Sequence, residues 1–214
     1  MPRLNIVFDF GAVLFAWEPA KVVQRFFPVQ ANTPENAQAL ATHIFSHTDW
    51  QSFDAGRVSA SELVHLLHAR TALAAQVLHD MVAHIGPHLE PIADAIQVLQ
   101  QLRQQRDSGQ NIKLFYLSNM PAPYARTLEQ RHAFIQWFDD GIFSGDHQII
   151  KPDLAIFQLA NRQFGIDGQD TVFIDDSLPN IEAARAHGWR AVHLPQPQAL
   201  RTQLGNEIDF KSIK

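Results

Sequence analysis

The chain of 214 residues contains no cysteine. That absence excludes disulfides, thiolate nucleophiles and cysteine-type zinc sites together. No apolar run approaches the length needed to cross a bilayer, so no membrane contact is expected. Basic residues are also scarce, 17 Lys and Arg against 22 Asp and Glu, and they form no dense stretch. A net charge of −5 with no basic run argues against a nucleic-acid partner. It leaves phosphorylated small molecules open, because one lysine and a metal can neutralise a phosphate locally. Low-complexity segments and internal repeats are missing too. The chain enters its first predicted strand within a few residues, leaving little room for a leader, and a cytoplasmic location is the default expectation. No feature specifies an oligomeric state.

What is present is a set of apolar runs that end on polar residues. Asn5-Ile6-Val7-Phe8 runs into Asp9, Phe10 and Gly11, and Leu114-Phe115-Tyr116-Leu117 runs into Ser118 and Asn119. Val172-Phe173-Ile174 runs into Asp175 and Asp176, with Ser177 and Asn180 behind, and Lys151 stands just ahead of Pro152 and Asp153. Short, continuous, β-branched runs suit strands buried on both faces of a parallel sheet. Open α/β sheets place their chemistry at the carboxyl ends of such strands. One carboxylate there can simply cap a turn. Carboxylates, a hydroxyl and an ammonium gathered on one sheet edge suit a divalent metal and a phosphate.

The spacing between these runs predicts helical crossovers, at about 92–107, 121–131, 154–164 and 179–187, and further strands at 141–144 and 190–193. Parallel strands joined by helices make a doubly wound, Rossmann-like α/β core. Between about Pro19 and His88 strand-like runs vanish, and Ala, Leu, Gln and His dominate. Helices are expected near 19–27, 34–46, 47–53 and 59–85, the last with a possible break. Thr33 before Pro34 reads as an N-cap, Ser59 with Glu62 as a capping box, and Gly86-Pro87 as a stop. The chain thus divides into a core of residues 1–16 and 89–214 and an all-helical insertion of residues 17–88, with linkers near 15–19 and 86–91.

In order and spacing the four polar stretches resemble the motifs of the haloacid dehalogenase superfamily, most of whose members are Mg²⁺-dependent phosphatases. The resemblance spans about Leu4 to Val192, and the insertion occupies the position of the helical cap in one branch of that superfamily. It implies that Asp9 is a nucleophile forming an aspartyl-phosphate. It implies that Mg²⁺ is held by Asp9, the Gly11 carbonyl and Asp176. Ser118 and the amide of Asn119 would bind phosphate oxygens, and Lys151 would serve both phosphate and nucleophile as a point cation. Asp175 would stand behind the metal, orienting Lys151 or a water, and Asn180 would brace the loop around Asp176. Adjacent side chains at a strand end point oppositely, so only one of Asp175 and Asp176 can be the direct ligand. The resemblance selects Asp176, with Asp175 as the alternative.

One position departs from the family pattern. Most of these phosphatases carry a second Asp two residues after the nucleophile, as general acid and base, where this chain has Gly11. A branch with Asp-x-Gly-x-Val, including sugar phosphatases acting on glucose 1-phosphate, is the more similar. If another acid takes the role, the histidines of the insertion are the first place to look. The reaction expected is hydrolysis of a small phosphorylated metabolite, such as a sugar phosphate. The alternatives are a haloacid dehalogenase, which needs no metal, and a binding module that kept the fold without catalysis. Asp9-Phe10-Gly11 also spells the kinase metal tripeptide, but eight preceding residues cannot supply a kinase lobe. His43 and His47 have metal-pair spacing without a third ligand, and Gly86-Pro87 should separate His84 from His88. Trp17, Trp50 and Phe53 are candidates for a substrate pocket or for plain core.

Overall fold

A computed structural model describes residues 3–207 of the chain. Five strands, β1 (Leu4–Phe8), β2 (Ile112–Ser118), β3 (Asp140–Phe143), β4 (Thr171–Asp175) and β5 (Arg190–His193), form one sheet in the order β3-β2-β1-β4-β5. All pairings are parallel. The chain begins in the centre, winds outward to one edge, then crosses back to build the other half. The crevice left by that reversal lies beyond the carboxyl ends of β1 and β4, where such sheets bind their ligands.

The side-chain alternation of β1 explains its uninterrupted apolar run. Ile6 and Phe8 join a core cluster on one face with Leu114, Tyr116, Val172 and Ile174. Val7 joins a second cluster on the other face with Phe115, Leu117 and Phe173. A strand covered on both sides must be apolar at every position. Each fully buried Phe or Ile on these faces contributes on the order of 2–3 kcal/mol.

Five helices lie between β1 and β2: α1 (Pro19–Phe26), α2 (Pro34–Phe45), α3 (Thr48–Asp54), α4 (Ala60–Thr71) and α5 (Ala75–Ile85). Thr33 caps α2 by accepting the Asn36 N–H, and Ser59 with Glu62 forms the reciprocal capping box of α4. The helical stretch expected over 59–85 is broken into two helices. Ala72 takes a left-handed conformation (φ 56°) and closes α4 before α5 begins. Gly86-Pro87 does not end the turn abruptly, because a 3₁₀ turn over Gly86–His88 continues α5. Gly86 is needed there for closeness: a Cβ would fall 2.6 Å from the Tyr124 ring. The chain leaves and rejoins the sheet side by side. Ala16 N–H donates to the Glu90 carbonyl and Ile92 N–H to the Leu14 carbonyl, both at 2.8 Å. The five helices share the first core cluster, which runs without a break from Phe8 and Phe10 through Val23, Ile44 and Leu67.

After the insertion come α6 (Ala93–Asp107), α7 (Ala122–Arg131), α8 (Leu154–Phe164), α9 (Leu178–Ala186) and α10 (Leu200–Glu207). The last has no counterpart among the sequence-based expectations. No described helix is long and apolar enough to cross a membrane.

Candidate active site

β1 makes its last ladder bond from the Asp9 N–H to the Ile174 carbonyl at 2.9 Å. The register pairs Phe8 with Ile174, so Asp9 and Asp175 stand level at the sheet edge. The chain then knots around Phe10, whose carbonyl accepts the N–H groups of Val13, Leu14 and Phe15. The Phe10 ring is buried against Tyr116 at 4.9 Å, Phe143 at 5.2 Å and Phe15 at 5.3 Å. A rigid turn follows, and the Asp9 carboxylate accepts the Phe10 N–H at 2.7 Å. The knot uses the carbonyls of Phe10 and Phe15, and that of Gly11 is not part of it.

Lys151 is almost fully buried. Its ammonium lies 3.0 Å from Asp9 Oδ1 and 2.6 Å from Asp175 Oδ2. Its backbone is clamped by Asn119, whose side-chain carbonyl accepts the Lys151 N–H at 2.8 Å and whose amide donates to the Lys151 carbonyl at 2.9 Å. The side-chain amide of Asn119 therefore positions the lysine, which leaves the Asn119 backbone N–H for the phosphate contact expected of this residue. Ser118, at the end of β2, is 1% exposed and pulls the Asp9 carboxyl downward.

Asp175 and Asp176 differ sharply in surroundings. Asp175 is fully buried and its oxygens are occupied: it accepts from Lys151, from the Ser177 N–H at 2.8 Å, and from the Asn180 amide at 3.0 and 3.1 Å. Asn180 thus holds the loop around Asp176 from both sides, through Asp175 and the Ser177 carbonyl. Asp176 is half-buried and lines the cavity, as do Asp9 and Gly11, whereas Asp175 does not. Carboxylate oxygens of Asp9, Asp175 and Asp176 lie within 4.8 Å of one another.

Three carboxylates face one ammonium, and their titration reflects the shortage of positive charge. Burial pushes Asp9 up to about 7; Lys151 pulls it back, while Asp175 and Asp176 push it further up. Burial and then Asp175 push Asp176 up to about 6. For Lys151 burial acts downward, but Asp175 and Asp9 outweigh it and hold the ammonium above its ordinary value. A hard divalent cation fits this donor set, because every available ligand is an oxygen and two negative charges are uncompensated.

Above this floor lies a cavity of about 650 Å³. Trp17, Phe45, Trp50, Ile85, Leu89, Met120 and Tyr124 line it. Trp17, Phe45 and Trp50 meet edge to face at 5.1 and 4.6 Å, making one aromatic wall. Of the three aromatics that suited either pocket or core, Phe53 is core, 2% exposed and packed on Tyr124.

None of the insertion's histidines lines the cavity. His43 meets Arg70 at 3.1 Å, and His47 caps α3 by accepting the Asp49 N–H. His84 and His88 are not separated by Gly86-Pro87; the 3₁₀ turn brings their rings face to face at 3.5 Å. The titratable group that does reach the cavity from the insertion is Asp54, at the last position of α3. Sequence carried one faint sign of it. A carboxylate at a helix carboxyl end opposes the helix dipole and calls for another reason to be there.

Comparison with known proteins agrees with this geometry. A family model for haloacid dehalogenase-like hydrolases matches residues 5–188. The sesquiterpene phosphatase astK of Aspergillus oryzae is 28% identical over 198 residues, covering 92% of this chain and 93% of that protein. The drimenol cyclase drtB of Aspergillus calidoustus is 25% identical over 201 residues, 94% of this chain, which spans only 36% of the cyclase. A haloacid dehalogenase family enzyme from Bacteroides thetaiotaomicron, solved in complex with magnesium and inorganic phosphate, superposes with a TM-score of 0.66. It covers 90% of this chain and 94% of its own at 18% identity. With its parallel sheet, the acidic floor at the ends of β1 and β4 and a matching family model over most of its length, the chain belongs to the haloacid dehalogenase-like hydrolases.

Proposed function

We propose that the protein is a Mg²⁺-dependent phosphomonoesterase whose substrate carries its phosphate on a small, largely apolar organic group. The observation that carries this reading is the contrast within one cavity: carboxylates and a lysine on the floor, an aromatic wall above. Asp9 attacks phosphorus through its free carboxylate oxygen and becomes an aspartyl-phosphate, which water then hydrolyses. Lys151 holds the attacking carboxylate in place and offers its charge to the phosphate. Ser118 pulls the Asp9 carboxyl slightly downward and can bond a phosphate oxygen. Asp9, Asp176 and the Gly11 carbonyl would hold Mg²⁺, which when bound supplies charge neutralisation for nucleophile and phosphate. Asp175, with its oxygens already occupied, orients Lys151. A phosphate is favoured over a halogenated acid because Asp176 stands beside Asp9 and would repel a carboxylate substrate.

The helices of residues 17–88 act as a cap that selects the organic group. Trp17, Phe45 and Trp50 can cover apolar carbon but offer a polar sugar few partners. The phosphatase relative is named for a sesquiterpene, which agrees with an apolar group. The test is a screen of prenyl and sesquiterpenyl monophosphates beside sugar phosphates, with Mg²⁺ and with chelator. Mg²⁺-dependent release of phosphate, fastest from the apolar esters, is expected. Faster turnover of sugar phosphates would overturn the substrate class, and full activity in chelator would overturn the metal.

A further inference from the structure

Gly11 leaves the proposed reaction without an acid on the core side, and backbone geometry does not explain the glycine. Its φ is outside the left-handed region, and a Cβ would meet only Trp17 Cβ at an ordinary 3.9 Å. Displacement at phosphorus runs in line, so the leaving oxygen lies opposite Asp9, toward the wall built by the insertion. Among the described residues, Asp54 is the only carboxylate or imidazole that lines that wall.

Its position is fixed by the core and not by the insertion alone. Ser144 Oγ donates to the Asp54 carbonyl at 2.6 Å and accepts the Met120 N–H at 2.9 Å. Two residues on, Gly56 (φ +69°) packs so closely that a Cβ would fall 2.2 Å from the Gly145 carbonyl oxygen. Arg57 then donates twice to the Gln148 carbonyl, at 3.1 and 2.7 Å. The stretch 54–57 is therefore riveted to 144–148, beside the loop that carries Lys151. A group placed there stays registered with the floor of the site.

We infer that Asp54 is the proton donor to the leaving oxygen and then the acceptor of the water proton, in the role for which Gly11 has no side chain. This rests on the phosphomonoesterase reading above. In the first step the Asp9 oxygen bonds to phosphorus, the bond from phosphorus to the leaving oxygen breaks, and the Asp54 proton passes to that oxygen. In the second step water attacks the same phosphorus and the Asp9–phosphorus bond breaks. One water proton goes to the Asp54 carboxylate, which restores the acid. The groups facing Asp54 suit both halves of the cycle. Burial, and then the charge of Asp9, push its carboxyl well above the ordinary range, while Lys151 and a hydrogen bond with Trp50 act in the opposite direction. Tyr124 is also near but is no rival donor, since its hydroxyl bonds the Val82 carbonyl at 2.6 Å.

The test is pre-steady-state phosphorylation of Asp9 by p-nitrophenyl phosphate, phenyl phosphate and a primary alkyl phosphate, in wild type and Asp54→Asn. General acid help is typically worth about 10²–10⁴ in rate. The variant is expected to phosphorylate from the alkyl ester at least about 100-fold more slowly, and from the p-nitrophenyl ester less than about 10-fold more slowly. Hydrolysis of the phosphoenzyme should slow equally for all three. Asp54→Ala, which also deletes the Trp50 contact, should show the same steepened dependence, so a fold defect in one variant does not decide the matter. Gly11→Asp placed in the Asp54→Asn background should restore part of the alkyl rate. A uniform loss across leaving groups, or none, with wild type active, overturns the role of Asp54 alone. A wild type that hydrolyses none of the series overturns the phosphomonoesterase reading and this inference with it.

Discussion

Replacing Lys151 with methionine removes the one ammonium among the three acidic groups while keeping the length of the buried stem. Two ion pairs are lost, at 3.0 Å to Asp9 and 2.6 Å to Asp175. Breaking a buried pair from one side typically costs about 3–5 kcal/mol, because the other charge is left uncompensated. The cost should depend on pH, and its sign follows from Asp9. With its carboxyl pushed up to about 7, the folded chain keeps a proton that the unfolded chain loses near 4. Stability contributed at low pH is therefore lost as pH rises through that window, by about 1.4 kcal/mol per unit. Lys151 is the group that pulls Asp9 down, so without it the upper edge of the window moves above 7. Wild type stops losing stability near pH 7, whereas the variant continues. Urea unfolding in chelator at pH 5.5 and 8.5 reads the difference. The deficit of the variant should be larger at pH 8.5 by roughly 2 kcal/mol. A deficit equal at both values, or larger at pH 5.5, would refute the claim that Lys151 sets the ionisation of Asp9.

Asp9→Asn should abolish turnover and leave the melting temperature near or above that of wild type, since a carboxyl whose charge is disfavoured by burial is removed; residual turnover at a fair fraction of the native rate would rule out an aspartyl-phosphate. Asp176→Asn should weaken Mg²⁺ binding, read by calorimetry, more than Asp175→Asn does. Asp175→Asn should instead lower stability by about 3 kcal/mol, because three donors lose their acceptor charge; the reverse order would exchange the two roles. Gly56→Ala should destabilise by about 2 kcal/mol through its clash with Gly145, and should slow turnover by loosening Asp54. A neutral effect on both would show that the rivet between the insertion and the core is unimportant.

Local pattern carried much of this protein into view. Apolar runs ending in Asp9, Ser118 and Asp175 suited two-faced parallel strands, and in the fold neighbouring residues such as Val7 and Phe8 each meet a separate core. Caps at Thr33 and Ser59 are local hydrogen bonds between residues three apart, and they are where the residue types predict. The order of the motifs sufficed to gather Asp9, Lys151, Asp175 and Asp176, because a doubly wound sheet leaves one crevice for them. Other features depend on contacts between distant segments. Whether the Asn119 side chain served a phosphate or Lys151, and which aspartate behind β4 had its oxygens occupied, turned on partners 32 and 5 residues away. The histidines of the insertion looked like its chemistry by type alone, yet the packing of α3 against 144–148 turned Asp54 inward and left them outside the cavity. Sequence by itself determined the strands, the acidic floor and the family, since these follow from residue periodicity and motif order. Only the tertiary structure decided which side chains of the inserted helices face that floor, because a helix's orientation is set by the surface on which it packs.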